Sequence, residues 1–297
     1  MMKKESFDFH FHSWLSDGVD SPAEVCRRLA ESGVTHGSMT DHDNILTQEQ
    51  CRMLSEANNI TLVPGCELSN YWIDPITHEE YINHLGGHFL LPQDSMLQQI
   101  LSHNQSQPYR TRVAEMLYLC DKAGVKATEG IGIETACEMI ISSVPHSHHV
   151  GVREVSRFLV SRGCFKTIRD AYTLVSRGGA AHVPVNKHLR FVPFKEAMEA
   201  ITRTGLATQN HVHYAGQNHT SLSLMLHEFK SLGGVGLETF YPRYDEKEML
   251  RICRDYQFLP NAGSDSHDTS RPFLRGDIRY YRALEQCQLE YHGTLNL

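Results

Sequence analysis

The stretch Phe7-Asp8-Phe9-His10-Phe11-His12, continuing as Ser13-Trp14-Leu15-Ser16-Asp17-Gly18, decides how the chain is read. Its first six residues alternate strictly between aromatic and polar. That is the period of a β-strand, whose successive side chains point to opposite faces. Phe7, Phe9 and Phe11 therefore share a face suited to a core, and Asp8, His10 and His12 share the other. Two imidazoles placed this way lie roughly 6 to 7 Å apart along the backbone, within reach of one metal ion. Asp17 follows in the turn just after them.

Outward from this strand the pattern becomes strand, helix, strand. Ser21 reads as an N-cap, with Pro22 at the first helical position, Glu24 closing a capping box and Gly33 as a stop. VTHGSMT is a second strand that ends in Asp41, His42 and Asp43, and a helix over 47–57 opens with a Thr-x-x-Gln cap. A third strand, ITLVPGCE, runs into Glu67, and a fourth apolar segment, YINHLGGHFLLP, carries His84 and His88. From residue 93 to 199 only helical spacing is evident, between Pro92 and Pro193. Strands then return as LATQNH, ending in His211, VGLETF, and FLPNAGSDSH, ending in Asp265 and His267. This is the rhythm of an α/β barrel or open sheet, whose sites lie at the C-terminal edge of the strands. The expected organisation is a barrel of 1–92 plus 200–297, interrupted by a helical substrate-cap domain of 93–199.

Bulk composition bounds the reading. The 297 residues are 40% hydrophobic, which predicts a folded globular protein. The net charge is −7 with 28 Lys+Arg, which lacks the broad basic footprint of a nucleic-acid coating protein. No apolar signal region and no membrane-length apolar run is evident, and the eight cysteines form no CxxC pair. A cytoplasmic protein with free thiols is the expectation. Histidine is the anomaly, at 19 residues.

The chemistry lies in the joint pattern. A lone HxH, a lone Asp-His turn or a lone buried histidine is ordinarily structural. Here His10, His12, Asp17, Asp41-His42, Glu67, His84, His211 and Asp265-x-His267 fall at corresponding places in the strand–helix rhythm. Nitrogen and carboxylate ligands without thiolate suit Zn2+, Mn2+ or Fe2+. A carboxylate such as Glu67 can bridge two ions, the usual device for attacking phosphorus.

DFHFHSWLSDG, MTDHDN, PGCE, NHLGG, the strand ending at His211, and AGSDSH together resemble the PHP (polymerase and histidinol phosphatase) family, with the free-standing phosphoesterases as the nearest members. The resemblance covers about residues 7 to 92 and 193 to 268. It implies a distorted (β/α)7 barrel with two to three divalent ions. It further implies His10, His12, Glu67 and Asp265 around one ion, and Glu67, His84 and His211 around a second, with Glu67 as the bridge. Asp17, His42 and His267 would hold a third. Asp8 would orient an imidazole. Two places depart from the family pattern. QNHVHY leaves His213 as a competitor of His211, and the long loop SNYWIDPITHEEYIN leaves His78 or His88 as a competitor of His84. Within the insertion, HSHHVGVREVSRFLV and its surroundings offer His148, Arg153, Arg157 and Lys187 as phosphate ligands.

The expected function is that of a metal-dependent phosphoesterase with catalytic Glu67, Asp265 and His267. Its substrate would be a small nucleotide, cyclic or sugar phosphate. One alternative is a 5'-3' exonuclease on short RNA or DNA, using Tyr109, Arg110 and Arg112 along the strand. Another is a non-catalytic metal-binding module, and a third is an amidohydrolase-like enzyme, whose lysine or Asp-led pattern is not seen.

Overall fold

The structure is a computed structural model that describes residues 5–105, 109–143, 150–184, 191–212 and 219–293. The chain divides into two compact units, Met1–Asn104 with Phe191–Leu297, and Gln105–Arg190.

The first unit is built on one sheet. Its opening strands are β1 (Ser6–Phe11), β2 (His36–Met39), β3 (Thr61–Ile73) and β4 (Glu80–His88). Its later strands are β6 (Leu206–Gln209), β7 (Gly236–Phe240), β8 (Leu259–Ala262) and the short β9 (Gly276–Asp277). They run in the order β8-β7-β6-β4-β3-β2-β1-β9, and a two-residue β5 (Val192–Pro193) pairs with β3. Beyond β8, Asp265 N donates to His10 O at 2.7 Å and His12 N donates to Ser266 O at 2.9 Å. The chain after β8 thus lies along β1, and the sheet nearly closes into a barrel.

The helices that connect these strands form for local reasons. In α1 (Pro22–Glu31), the Ser21 hydroxyl accepts from Glu24 N, but the Glu24 carboxylate turns to Arg27, so the expected capping box is half made. In α2 (Gln48–Asn58), Thr47 and Gln50 complete theirs reciprocally. All three β1 phenylalanines are fully buried, yet they do not share one patch. Phe7 and Phe9 pack with Val63, Phe89 and Tyr281, whereas Phe11 packs with Val25 and Leu29. The β1–β2 register also shifts between Asp8 and Phe11.

The fourth strand is not a further strand–helix unit. β3 and β4 pair antiparallel from Gly65↔His88 to Ile73↔Glu80, a long hairpin. Asp74 shapes its turn by accepting from Ile76 N and Thr77 N. The first unit also takes in α3 (Ser95–Gln105) as far as Asn104 and all of α8 (Phe194–Thr202), most of which falls within the 93–199 expected for the insertion. Their apolar faces, including Leu97, Leu101, Phe194 and Ile201, complete the core around Leu68 and Leu85.

Among its described residues the second unit is helical: α4 (Tyr109–Lys122), α5 (Ile133–Ser142), α6 (Val152–Ser161) and α7 (Ile168–Val175). It has its own core, which includes Val113, Leu117, Ile140, Val155 and Leu159. No helix among the described residues is long and apolar enough to cross a membrane.

Candidate metal centre

Glu67 sits near the middle of β3, fully buried, with imidazoles on every side. Its Oε1 lies 3.3 Å from His10 Nε2, 3.5 Å from His211 Nε2 and 4.0 Å from His84 Nδ1. Its Oε2 lies 3.1 Å from His42 Nδ1 and 3.5 Å from His12 Nε2. β1 supplies His10, and His12 follows immediately after it; their Nε2 atoms face each other at 3.1 Å. His42 arrives where the chain after β2 bridges to Glu67, and His84 comes from β4, opposite Ser69. His211 follows β6 and Asp265 follows β8, each in a left-handed backbone conformation (φ 50° and 51°). Such a conformation is uncommon away from glycine and concentrates at functional sites.

A second carboxylate, Asp265 Oδ1, stands 3.4 Å from both His12 Nε2 and His267 Nδ1, and 3.7 Å from His10 Nε2. Asp17 Oδ1 lies 3.0 Å from His267 Nε2. All nine expected ligands fall into four overlapping groups, with the ligand atoms of each group within 4.8 Å of one another. The groups are His12–Asp17–His42–His267, His10–His12–Glu67, His10–His211–Asp265 and His42–Glu67–His84. His12 thus stands with the Asp17 group as well as with His10, and His211 groups with Asp265 while also lying, like His84, beside Glu67 Oε1.

The donor set suits a divalent ion. Glu67 Oε2 and His84 Nδ1 are buried without a hydrogen bond, although imidazoles crowd the carboxylate. Protonation states point the same way. Burial would raise the Glu67 pKa, but His10, His42 and His84 hold it well below the usual range. Asp265 and Asp17 are depressed against the same burial cost, by His12, His10 and His267 at the former and by His267, His42 and His12 at the latter. Burial drives His12 and His84 down to about 3, helped by neighbouring imidazoles, so both are neutral at pH 7 with a lone pair to offer. His10 is the exception. Burial would lower it, yet Glu67 and Glu238 outweigh that and raise it well above the ordinary value.

Glu238 is the residue that sequence reasoning missed. It is fully buried on β7, with Oε1 2.5 Å from His10 Nδ1, while Oε2 accepts from His211 N at 3.0 Å. The only signal was an acid inside the apolar strand VGLETF. It makes the carboxylate–imidazole contact that was expected of Asp8. Asp8 instead accepts from three backbone N–H groups, those of His10, Ser264 and Leu274, and touches no imidazole nitrogen. Asp41, beside His42, holds the turn after β1 by accepting from Ser13 N, Ser13 Oγ and Ser16 Oγ, each at 2.7 Å.

The competitors separate by position. His88 gives one ring nitrogen to Ser38 Oγ and the other to Thr208 Oγ1, both at 3.0 Å, so neither is left for a metal. His78 lies at the end of the β3–β4 hairpin, remote along the strands from Glu67. His213, His148 and Lys187 lie outside the described residues. Arg153 and Arg157 lie on α6 of the second unit, where Arg157 pairs with Glu154. Arg110 pairs with Glu138, and Arg112 donates to Val183 O. The side chain of Tyr109 is outside the description.

Residues 8–135 match the model of the PHP domain. A 5'-3' exoribonuclease of Haemophilus influenzae is 26% identical over 273 residues, covering 90% of this chain and 91% of that protein. A phosphoribosyl 1,2-cyclic phosphate 1,2-diphosphodiesterase of Eggerthella lenta is 24% identical, covering 88% of this chain and 93% of that one. Among solved structures, an amidohydrolase from Chromobacterium violaceum with bound sulfate and no metal superposes with a TM-score of 0.76 at 20% identity, covering 94% of this chain and 96% of its own. A provisionally assigned metal-dependent phosphoesterase from Bifidobacterium adolescentis gives a TM-score of 0.73 at 18% identity, covering 96% of each chain. These two neighbours establish the fold.

Proposed function

We propose that this chain, which carries a PHP domain over residues 8–135, is a metal-dependent phosphoesterase acting on a small phosphorylated molecule such as a nucleotide, cyclic or sugar phosphate. The observation that carries the reading is Glu67, a buried carboxylate with five imidazole nitrogens at 3.1 to 4.0 Å. In this reading His10, His12, Glu67 and Asp265 hold one ion, Glu67, His84 and His211 a second, and Asp17, His42 and His267 a third. Manganese, zinc or iron(II) suits this nitrogen and oxygen set.

Divalent ions bound there supply Lewis acidity toward phosphoryl oxygens and lower the pKa of water. The chain's own residues do the rest. Glu67 stays ionised and keeps adjacent ligand sets in register. Glu238 fixes the His10 ring through Nδ1, so that Nε2 faces the cluster. His267 keeps its ring proton on Nδ1, 2.9 Å from the Asp265 carbonyl oxygen, and so offers the Nε2 lone pair beside Asp17.

The small-substrate reading draws support from the net charge of −7, which weakens polymer electrostatics, and from likeness to the cyclic phosphate diesterase. Likeness to the Haemophilus influenzae exoribonuclease favours a second reading, 5'-3' exonuclease action on short RNA. Competition kinetics on manganese-loaded protein separates the two, using a mononucleotide against an RNA of roughly 20 nucleotides, long enough to follow a groove. The mononucleotide is expected to win. An RNA advantage of about tenfold in kcat/KM, about 1.4 kcal/mol, would install the second reading. Hydrolysis of neither would rule out both nucleotides and short RNA as substrates.

A further inference from the structure

The segment after β8, SDSHDTSRPF, carries a cation that the reaction sketched above does not use. Arg271 Nη1 donates to the Asp265 backbone carbonyl at 2.7 Å and also to Asp265 Oδ2. The Tyr241 hydroxyl donates to the same Oδ2 at 3.1 Å. Asp265 Oδ1 is then the oxygen that faces His10, His12 and His267. The arginine's backbone is anchored as well. Ser266 Oγ donates to Arg271 O at 2.8 Å, and Ser266 O accepts from His12 N at the end of β1.

This guanidinium therefore stands one carboxylate away from three imidazoles of the cluster, held from both its main chain and its side chain. Both of its hydrogen bonds to Asp265 leave from Nη1, so the Nε–Nη2 edge of the fork is not committed to that residue. The Arg271 side chain retains 28% exposure against 12% for Asp265. A guanidinium keeps its charge at any working pH, and the Nε–Nη2 edge matches two oxygens of a phosphoryl group. The surrounding carboxylates Asp17, Glu67, Glu238 and Asp265 would repel an incoming anion, and a fixed cation beside them counters that repulsion.

We propose that Arg271 is a substrate-binding residue: its Nε–Nη2 edge pairs with two non-bridging oxygens of the substrate's phosphoryl group while Nη1 stays on Asp265. The inference rests on the phosphoesterase reading and extends it to the loop after β8. The substrate class it implies presents at least one phosphoryl group with two free oxygens to that loop.

The test uses the full-length, manganese-loaded wild type, Arg271→Ala and Arg271→Lys. Metal content is read by elemental analysis, and inorganic phosphate is titrated as the probe by calorimetry. The expected result is unchanged metal content in all three. Phosphate affinity should fall about tenfold or more in Arg271→Ala and recover in part in Arg271→Lys, which restores the charge without the fork. Wild-type phosphate affinity in Arg271→Ala overturns the inference. So does a loss of metal in parallel with phosphate in both variants, which would make Arg271 only a support for Asp265. A wild type that takes up no metal overturns the phosphoesterase reading itself, and the inference falls with it.

Discussion

Two buried side chains, Glu238 and His88, show how single residues set the properties of the chain. Glu238 ties His10 to His211 by accepting from one ring and from the other's backbone N–H. Glu238→Gln keeps the volume but replaces one acceptor with a donor. Metal affinity, read by chelator competition, is expected to drop by about 10- to 100-fold with the far-UV spectrum unchanged. Full affinity in that variant would remove Glu238 from the site. His88 is one of the buried imidazoles that tie stability to pH. Burial, aided by the nearby charge of His10, lowers its pKa from 6.5 to about 3. The folded chain therefore keeps His88 neutral where the unfolded chain would protonate it, so its contribution to stability is full above pH 6.5 and is lost as pH falls from there toward 3. Between pH 7.5 and 5 the loss is about 2 kcal/mol. In chelator-treated protein, His88→Gln should shrink the pH-dependent fall in unfolding free energy by about that amount. An unaltered slope would show that His88 does not titrate this way.

Secondary-structure elements carried unequal amounts of readable signal. β1 and β2 with their helices were legible because strict alternation, Ser21-Pro22 and Thr47-x-x-Gln50 are local signals that the structure honours. The β3–β4 hairpin was not. Its arms contain Ser69, Asn70 and Asn83, buried polar residues that resemble a loop in sequence. Their polarity is absorbed by partners far away in the chain, as when Asn83 bonds Asn70 and Gln209. No local pattern reveals that pairing, so Glu67 was expected at a strand end when it lies mid-strand. Glu238 escaped for the same reason, since its partners are 228 and 27 residues away. The hairpin also explains the glycines of NHLGG. A Cβ on Gly86, opposite Glu67, would lie 2.5 Å from Thr208 Oγ1 and 2.9 Å from Asn210 Oδ1. Asn210 in turn donates to Glu67 Oε1 at 3.1 Å. Gly86→Ala is therefore expected to destabilise the chain by about 1–3 kcal/mol and to reduce metal content. A variant with wild-type urea midpoint and metal loading would contradict this account of the hairpin.

At the scale of the whole molecule, distant segments from residue 10 to residue 267 meet around one carboxylate. A polar, charged interior of this kind is costly unless something repays it, because each buried group gives up water. Bound cations are the economical repayment, and nine ligand-type side chains exceed what one ion of four to six coordination can use. Glu67 joins the ligand sets, so Glu67→Gln should leave the fold standing, abolish phosphoester turnover and lower the number of ions held. The most direct test is elemental analysis of divalent metal per chain after loading and removal of free ions, on the wild type beside Glu67→Gln. The account predicts more than one ion per wild-type chain and fewer in the variant; one ion or none in the wild type, or equal loading in the two proteins, would contradict it.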